Sequence, residues 1–225
     1  MPGLVIALLG AESSGKSTLA HALALTLRGE GHDAVVVSEW LRDFCAAAGR
    51  TPRRDEQAGI AAEQQRRIEA AAARHALVLA DTTGLQTAVY SEIVFGDRSL
   101  YPAAGASHRA TVARTLLTGL DLPWQADGLQ RDGPQVRAPV DRLLRAQLQA
   151  LGLDHRVIYG LDEARTAAAR AALDGLPGLT PAAAPAWRSA DEGAPFSRWR
   201  ARCLECLDPA CERLDHARRD APPSG

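Results

Sequence analysis

The sequence predicts an α/β fold: a parallel five-stranded sheet with helices on both faces and a small Cys-containing C-terminal tail. Three observations carry that expectation. Short apolar runs alternate with helix-patterned segments as far as Leu173, the signature of strand–helix–strand units with right-handed crossovers. The first run opens directly into Gly10-Ala-Glu-Ser-Ser-Gly15-Lys16-Ser17. Gly10, Glu39, Asp81 and Asp121 each follow an apolar run, at the strand ends where such sheets bind ligands.

Taken in order, Leu4–Leu9 is an unbroken apolar run that suits a buried parallel strand. From Lys16 to Arg28, Leu19, Leu23 and Leu27 recur on one helical face, and Gly29-Glu30-Gly31 ends the helix. Ala34–Ser38 is a second strand. Arg54 to Arg74 is a long polar helix rich in Ala, Glu, Gln and Arg. Ala76–Ala80 is a third strand, Gln86 to Phe95 a helix, and Arg114–Leu120 a fourth strand. Val140, Leu143, Leu144, Leu148 and Leu151 give Arg137–Leu151 a helical stripe. Val157–Tyr159 is a short fifth strand and Asp162–Leu173 the last helix.

Composition bounds the function. The chain has 225 residues, 46% of them hydrophobic, with 26 basic against 27 acidic residues. That length and balance suit one well-buried α/β domain with an appendage, and do not suit a dedicated nucleic-acid binder. Met1-Pro2 leads into the first apolar run with no basic segment before it, and that run is too short to cross a bilayer. A cytoplasmic protein is expected, with its four cysteines reduced or bound to metal. Of the 26 basic residues only Lys16 is a lysine, which marks a position where arginine does not serve.

Lys16 falls inside the full G-x-x-x-x-G-K-[ST] pattern, the Walker A motif. Gly10, Ser13, Ser14 and Gly15 supply a backbone whose N–H groups can point at phosphate oxygens. The helix that follows offers its N-terminus, with Thr18 in the first turn, to the same anion. Lys16 bridges the outer phosphates of ATP, and Ser17 holds Mg²⁺. Asp81 is the Walker B acid that holds Mg²⁺ directly or through water, or else a cap on the next helix with Thr82 or Thr83 as alternatives. Glu39 can take the proton of an attacking hydroxyl, or be a surface acid at a strand exit. Arg42 and Asp43 either join that pocket or pair with each other. Asp121–Arg137 is polar and broken by Gly and Pro, the composition of a lid, with Arg131 and Arg137 available to neutralise transition-state charge. Trp124 can stack on a substrate ring or anchor the loop to the core.

Four segments together resemble the ribosylnicotinamide kinase domain of NadR-type proteins. They are Gly10–Leu19 (GAESSGKSTL), Ser38–Phe44 (SEWLRDF), Ala80–Thr83 (ADTT) and Asp121–Arg131 (DLPWQADGLQR). The resemblance covers about residues 3–174. It implies ATP- and Mg²⁺-dependent phosphorylation of the 5′-hydroxyl of nicotinamide riboside, giving the mononucleotide for NAD synthesis. It also implies that Lys16 and Ser17 bind phosphate and Mg²⁺, that Asp81 is the metal-side acid, and that Glu39 and Arg42 face the substrate. Trp124 and Asp127 would shape its pocket, and Arg131 and Arg137 would belong to the lid. Glu39 is the first choice for general base, Asp81 the rival. The H-x-G-H element of the family's adenylyltransferase domain does not occur in this chain.

The expected organisation is a P-loop kinase domain over 1–174, a Pro/Ala/Gly linker over 175–186 and a tail over 187–225. In the tail, Cys203, Cys206, Cys211 and His216 have the number and compactness of a structural zinc site. Leu204, Leu207 and Leu214 could instead form an amphipathic helix with reduced thiols. Seven arginines face seven acids there, so the tail is not read as a nucleic-acid binder. Two other functions remain open at this point. One is a regulatory P-loop ATPase whose Cys-rich tail docks a partner. The other is a nucleoside-monophosphate kinase, which needs more basic residues than the segment after Glu39 provides.

Overall fold

A computed structural model describes residues 2–125 and 133–179. Five strands pair in the order β2-β3-β1-β4-β5, all parallel. They are β1 (Leu4–Leu9), β2 (Ala34–Val37), β3 (Leu77–Asp81), β4 (Val112–Thr118) and β5 (His155–Ile158). Seven helices join them: α1 (Lys16–Gly29), α2 (Trp40–Ala48), α3 (Gln57–Ala72), α4 (Gly84–Phe95), α5 (Tyr101–Thr111), α6 (Arg137–Ala150) and α7 (Asp162–Ala171). Short 3-10 turns at Arg54–Glu56 and Pro134–Val136 lead into α3 and α6.

Alternation along the strands sends side chains to two cores. Ile6 and Leu8 of β1 pack with Leu79, Leu116 and Ile158 against Leu19, Leu23 and Leu27 of α1, and Leu173 just beyond α7. Leu9, next along the strand, faces the other way and joins Leu85 and Val89 of α4 and Val140, Leu144 and Leu148 of α6. Val5 and Val78 face Ile68 and Ala72 of α3. Fully burying one such leucine is worth roughly 1.5–3 kcal/mol, so these layers fix where every strand ends. Leu176 and Leu179 join the α1 core, so the packed chain runs five residues beyond Asp174, into the segment read as linker. The rest of that segment and the tail, including Cys203, Cys206, Cys211 and His216, lie outside the described residues.

Two helices were not expected. Helix α2 occupies the stretch after Glu39 and ends on Gly49 in the left-handed conformation (φ 66). Helix α5 buries Tyr101, Ala104, Gly105 and His108, a stripe at i, i+3, i+4 and i+7 made mostly of small residues. Gly105 lets α5 pack closely, because a Cβ there would lie 2.8 Å from Leu151 Cδ2 and displace that side chain. Strand boundaries also move: β4 starts and stops two residues earlier than expected, and β5 begins at His155.

His108 on α5 ties the sheet to the loop after β3. It is 2% exposed, with Nδ1 3.1 Å from Thr83 Oγ1 and Nε2 2.9 Å from Thr115 Oγ1. Burial lowers its pKa from 6.5 to about 4. The folded state therefore holds it neutral while the unfolded chain would bind a proton below 6.5. Its stabilising effect is complete above 6.5 and is lost as pH falls toward 4, to the extent of about 3 kcal/mol. Urea denaturation between pH 7.5 and 4.5 should show that loss, and His108→Gln should flatten the dependence; an unchanged slope would contradict it.

Candidate active site

The loop between β1 and α1 is shaped by neighbours as much as by its own residues. Gly10 has φ 151, and a Cβ there would sit 2.0 Å from Thr118 Oγ1 at the end of β4. Its N–H donates to Gln86 Oε1 of α4 at 3.1 Å. Ser14 Oγ donates to Ala11 O (2.6 Å) and lies 2.6 Å from Thr118 Oγ1, while Thr118 Oγ1 donates to Leu9 O. Gly15 is left-handed (φ 77), and a Cβ there would meet Leu122 Cδ1 at 2.8 Å. Only glycine takes both the conformation and the contact without strain.

Lys16 is 8% exposed, and its Nζ donates to Ala11 O at 2.9 Å, so the ammonium is folded back over the loop. Ser13 is itself left-handed (φ 53) and donates from Oγ to Gln125 O at 2.7 Å, joining the loop to the segment after β4. Thr18 is exposed in the first turn of α1.

Asp81 ends β3 at 2% exposure. Ser17 Oγ donates to its Oδ2 at 2.5 Å, and Oδ1 is buried without a hydrogen-bond partner among the described residues. A buried carboxylate oxygen left open beside a hydroxyl is a donor set that suits Mg²⁺, which takes one or two protein oxygens and keeps water on its other positions. The backbone just past Asp81 is unusual. Thr82 has φ 76, a conformation that costs a β-branched residue of order 1–3 kcal/mol. Its N–H donates to Leu8 O, and its carbonyl accepts from Gln64 Nε2. Gln64 Oε1 in turn accepts from Trp40 N at 2.7 Å, so one buried side chain of α3 fixes both acid-bearing strand exits.

Glu39 precedes α2. Its Oε2 accepts from Arg42 Nε at 3.2 Å, and Arg42 Nη2 reaches Ser17 Oγ at 3.4 Å. Desolvation raises the Glu39 pKa above the usual carboxylate range, and the nearby Asp81 charge adds to it, while Lys16 and Arg42 oppose. Lys16, Ser17, Glu39, Arg42 and Asp81 are thus linked at one end of the sheet. Asp43 takes a different partner, Arg67 Nη1 at 3.0 Å, and the Arg67 guanidinium lies 3.8 Å from the Trp40 ring centroid.

Beyond β4, Asp121 engages Arg165 and the Gly160 N–H. Trp124 is partly buried, with no hydrogen-bond partner for its Nε1 among the described residues. Arg137 opens α6 at 9% exposure and donates from Nη2 to Leu122 O at 2.8 Å. Its Nε is buried without a partner among the described residues, and burial lowers its pKa. Asp127 and Arg131 lie outside the described residues. Thr118, Gln64, Gln86 and Arg165 support the site without having stood out in the sequence.

The model of the AAA domain family matches residues 5–163. With its Gly10–Ser17 loop and parallel sheet, the chain belongs to that family. Among solved structures, it is similar to NadR protein in complex with NAD and AMP-PNP, at 19% identity and TM-score 0.63, over 81% of this chain and 52% of that one. It is equally similar to NadR protein in complex with NR, at 19% identity and TM-score 0.65, over 81% and 53%. The fold is therefore that of a NadR-type P-loop domain, and the chain spans about half the length of those NadR chains. No curated protein matches it. Among the described residues no helix is long and apolar enough to cross a membrane.

Proposed function

We propose that the chain is an ATP-dependent kinase that phosphorylates the 5′-hydroxyl of nicotinamide riboside or a similar ribonucleoside. The observation that carries this reading is Glu39, a half-buried acid held by Arg42, whose guanidinium also reaches the Ser17 hydroxyl that is bonded to Asp81. A nucleotide-binding loop alone does not need such a group, whereas transfer to an alcohol does. The likeness to NadR in complex with NR supports the acceptor class.

In the proposed reaction the Gly10–Ser17 loop cradles the phosphates of ATP, and Lys16 leaves Ala11 O to bridge the β- and γ-phosphates. Ser17 and Asp81 would hold Mg²⁺, which offsets phosphate charge. Glu39 accepts the 5′-hydroxyl proton as that oxygen attacks the γ-phosphorus. The bond from the γ-phosphorus to the bridging oxygen breaks, and ADP leaves with the electron pair. Arg42 keeps Glu39 oriented. Arg137, and Arg131 of the lid, would spread the charge on the transferring group, while Trp124 and Asp127 would line the acceptor side. The substrate is a small molecule, and no nucleic-acid or membrane partner is proposed.

An ADP-release assay across nicotinamide riboside, common nucleosides and nucleoside monophosphates tests the proposal. Stimulation by a nucleoside supports it. Slow turnover that no acceptor stimulates would replace it with the regulatory ATPase that the AAA-domain match also allows. For the tail we retain zinc binding by Cys203, Cys206, Cys211 and His216 on its spacing alone. Purified protein should then carry about one equivalent of zinc, lost in Cys203→Ala; metal-free wild type would rule it out.

A further inference from the structure

Arg165 is a buried charge with several partners outside the chemistry proposed above. It sits on α7 at 4% exposure, on the opposite side of the Gly10–Ser17 loop's strand from the acids. Nη2 donates to Ser14 O at 2.8 Å. Nη1 donates to Asp121 Oδ1 at 3.0 Å and to Gly160 O at 3.0 Å. Gly160 N donates to Asp121 Oδ2 at 2.6 Å. One guanidinium thus gathers the phosphate loop, the exit of β4 and the exit of β5.

The bond to Ser14 O has a directional consequence. The Ser14–Gly15 peptide is planar and trans, so its C=O and N–H point opposite ways. Holding the carbonyl on Arg165 aims the Gly15 N–H away from α7, the face a phosphate-binding loop offers to its anion. Nothing in Gly15 itself enforces that choice, because glycine accepts φ of either sign at little cost. A flipped peptide would present a carbonyl oxygen to phosphate instead of a donor. A buried ion pair is also weak evidence for a purely stabilising role, since such pairs can often be replaced together by apolar groups without loss.

We propose that Arg165, anchored by Asp121, is a positioning residue that presets the Gly15 amide for the nucleotide's phosphates. The proposal rests on the phosphate-binding reading of the loop, and it needs no acceptor and no turnover.

The test is calorimetric binding of ADP, tripolyphosphate and adenosine to the full chain, beside thermal denaturation. Arg165→Met should bind ADP and tripolyphosphate at least about tenfold more weakly, with adenosine affinity unchanged. Arg165→Lys, whose single ammonium can reach Ser14 O or Asp121 but lacks the fork to hold both, should fall between. If Arg165→Met fails to fold, Arg165→Lys and Asp121→Asn carry the same comparison. Wild-type affinity for ADP in a folded variant would overturn the proposal, as would equal losses for adenosine and tripolyphosphate, which mark a merely structural role. A wild type that binds neither phosphate ligand would overturn both the proposal and the loop reading. Binding without nucleoside-stimulated turnover would count against the kinase alone.

Discussion

Lys16→Arg is expected to lower phosphoryl transfer by about 10²–10³-fold, the size of loss seen when one donor to a developing charge is removed, while the protein remains folded and cationic at that position. The lysine lies inside the loop, 8% exposed and 2.9 Å from Ala11 O. A planar guanidinium is wider than an ammonium and cannot turn within that backbone cradle to follow the phosphates. Steady-state kinetics with matched thermal denaturation checks this. A variant of wild-type rate would remove Lys16 from the mechanism. The composition gains a meaning from the same contact: in a chain with 26 basic residues, the only lysine is the one enclosed by backbone.

Glu39→Gln is expected to lower kcat by about 10²–10⁴-fold, the range for a general base, with ADP affinity retained. The sign of the pH effect follows from its environment. Burial and Asp81 raise the Glu39 pKa, so the wild-type rate should climb with pH through a value above the ordinary carboxylate range and then level off. The variant should lose that rising limb. Asp81→Asn provides the contrast, because Asp81 holds Ser17 and has one buried oxygen open. Its loss should raise the Mg²⁺ concentration needed for half-maximal rate. Full activity in Glu39→Gln with the acid limb intact would pass the role of base to Asp81.

How much of this was legible in the sequence depended on what kind of residue carried each signal. Strands β1 and β3 are runs of large apolar residues, and their positions were readable because burial on both faces demands such runs. The Gly10–Ser17 loop was readable because its motif fixes residue types at fixed spacing, and it does lie between β1 and α1. Helix α5 escaped because its buried stripe is Tyr101, Ala104, Gly105 and His108, small or polar groups that carry little hydrophobic contrast. Helix α2 is short, and its start at Trp40 is secured by Gln64 from a different helix, which no local pattern reveals. Arg165 escaped for the same reason: its partner Ser14 is 151 residues away in sequence, and a lone arginine in an Arg-rich helix has nothing to mark it.

The strand order has a further bearing on how the protein can change. Strand β1, carrying the phosphate loop, is the middle of five, paired on both sides. Strand β2, with Glu39 beyond its end, is four residues long and, among the described residues, an edge strand paired on one side only. Amide exchange should accordingly be slowest in β1 and faster in β2 and α2, because edges open at lower free energy than centres. The half of the site that would meet the nucleotide is built into the middle of the sheet, and the half that would meet the acceptor hangs on its margin. On the proposed reading, substitutions around α2 would change acceptor preference while leaving phosphate affinity in place, because the two halves of the site rest on strands of unequal rigidity.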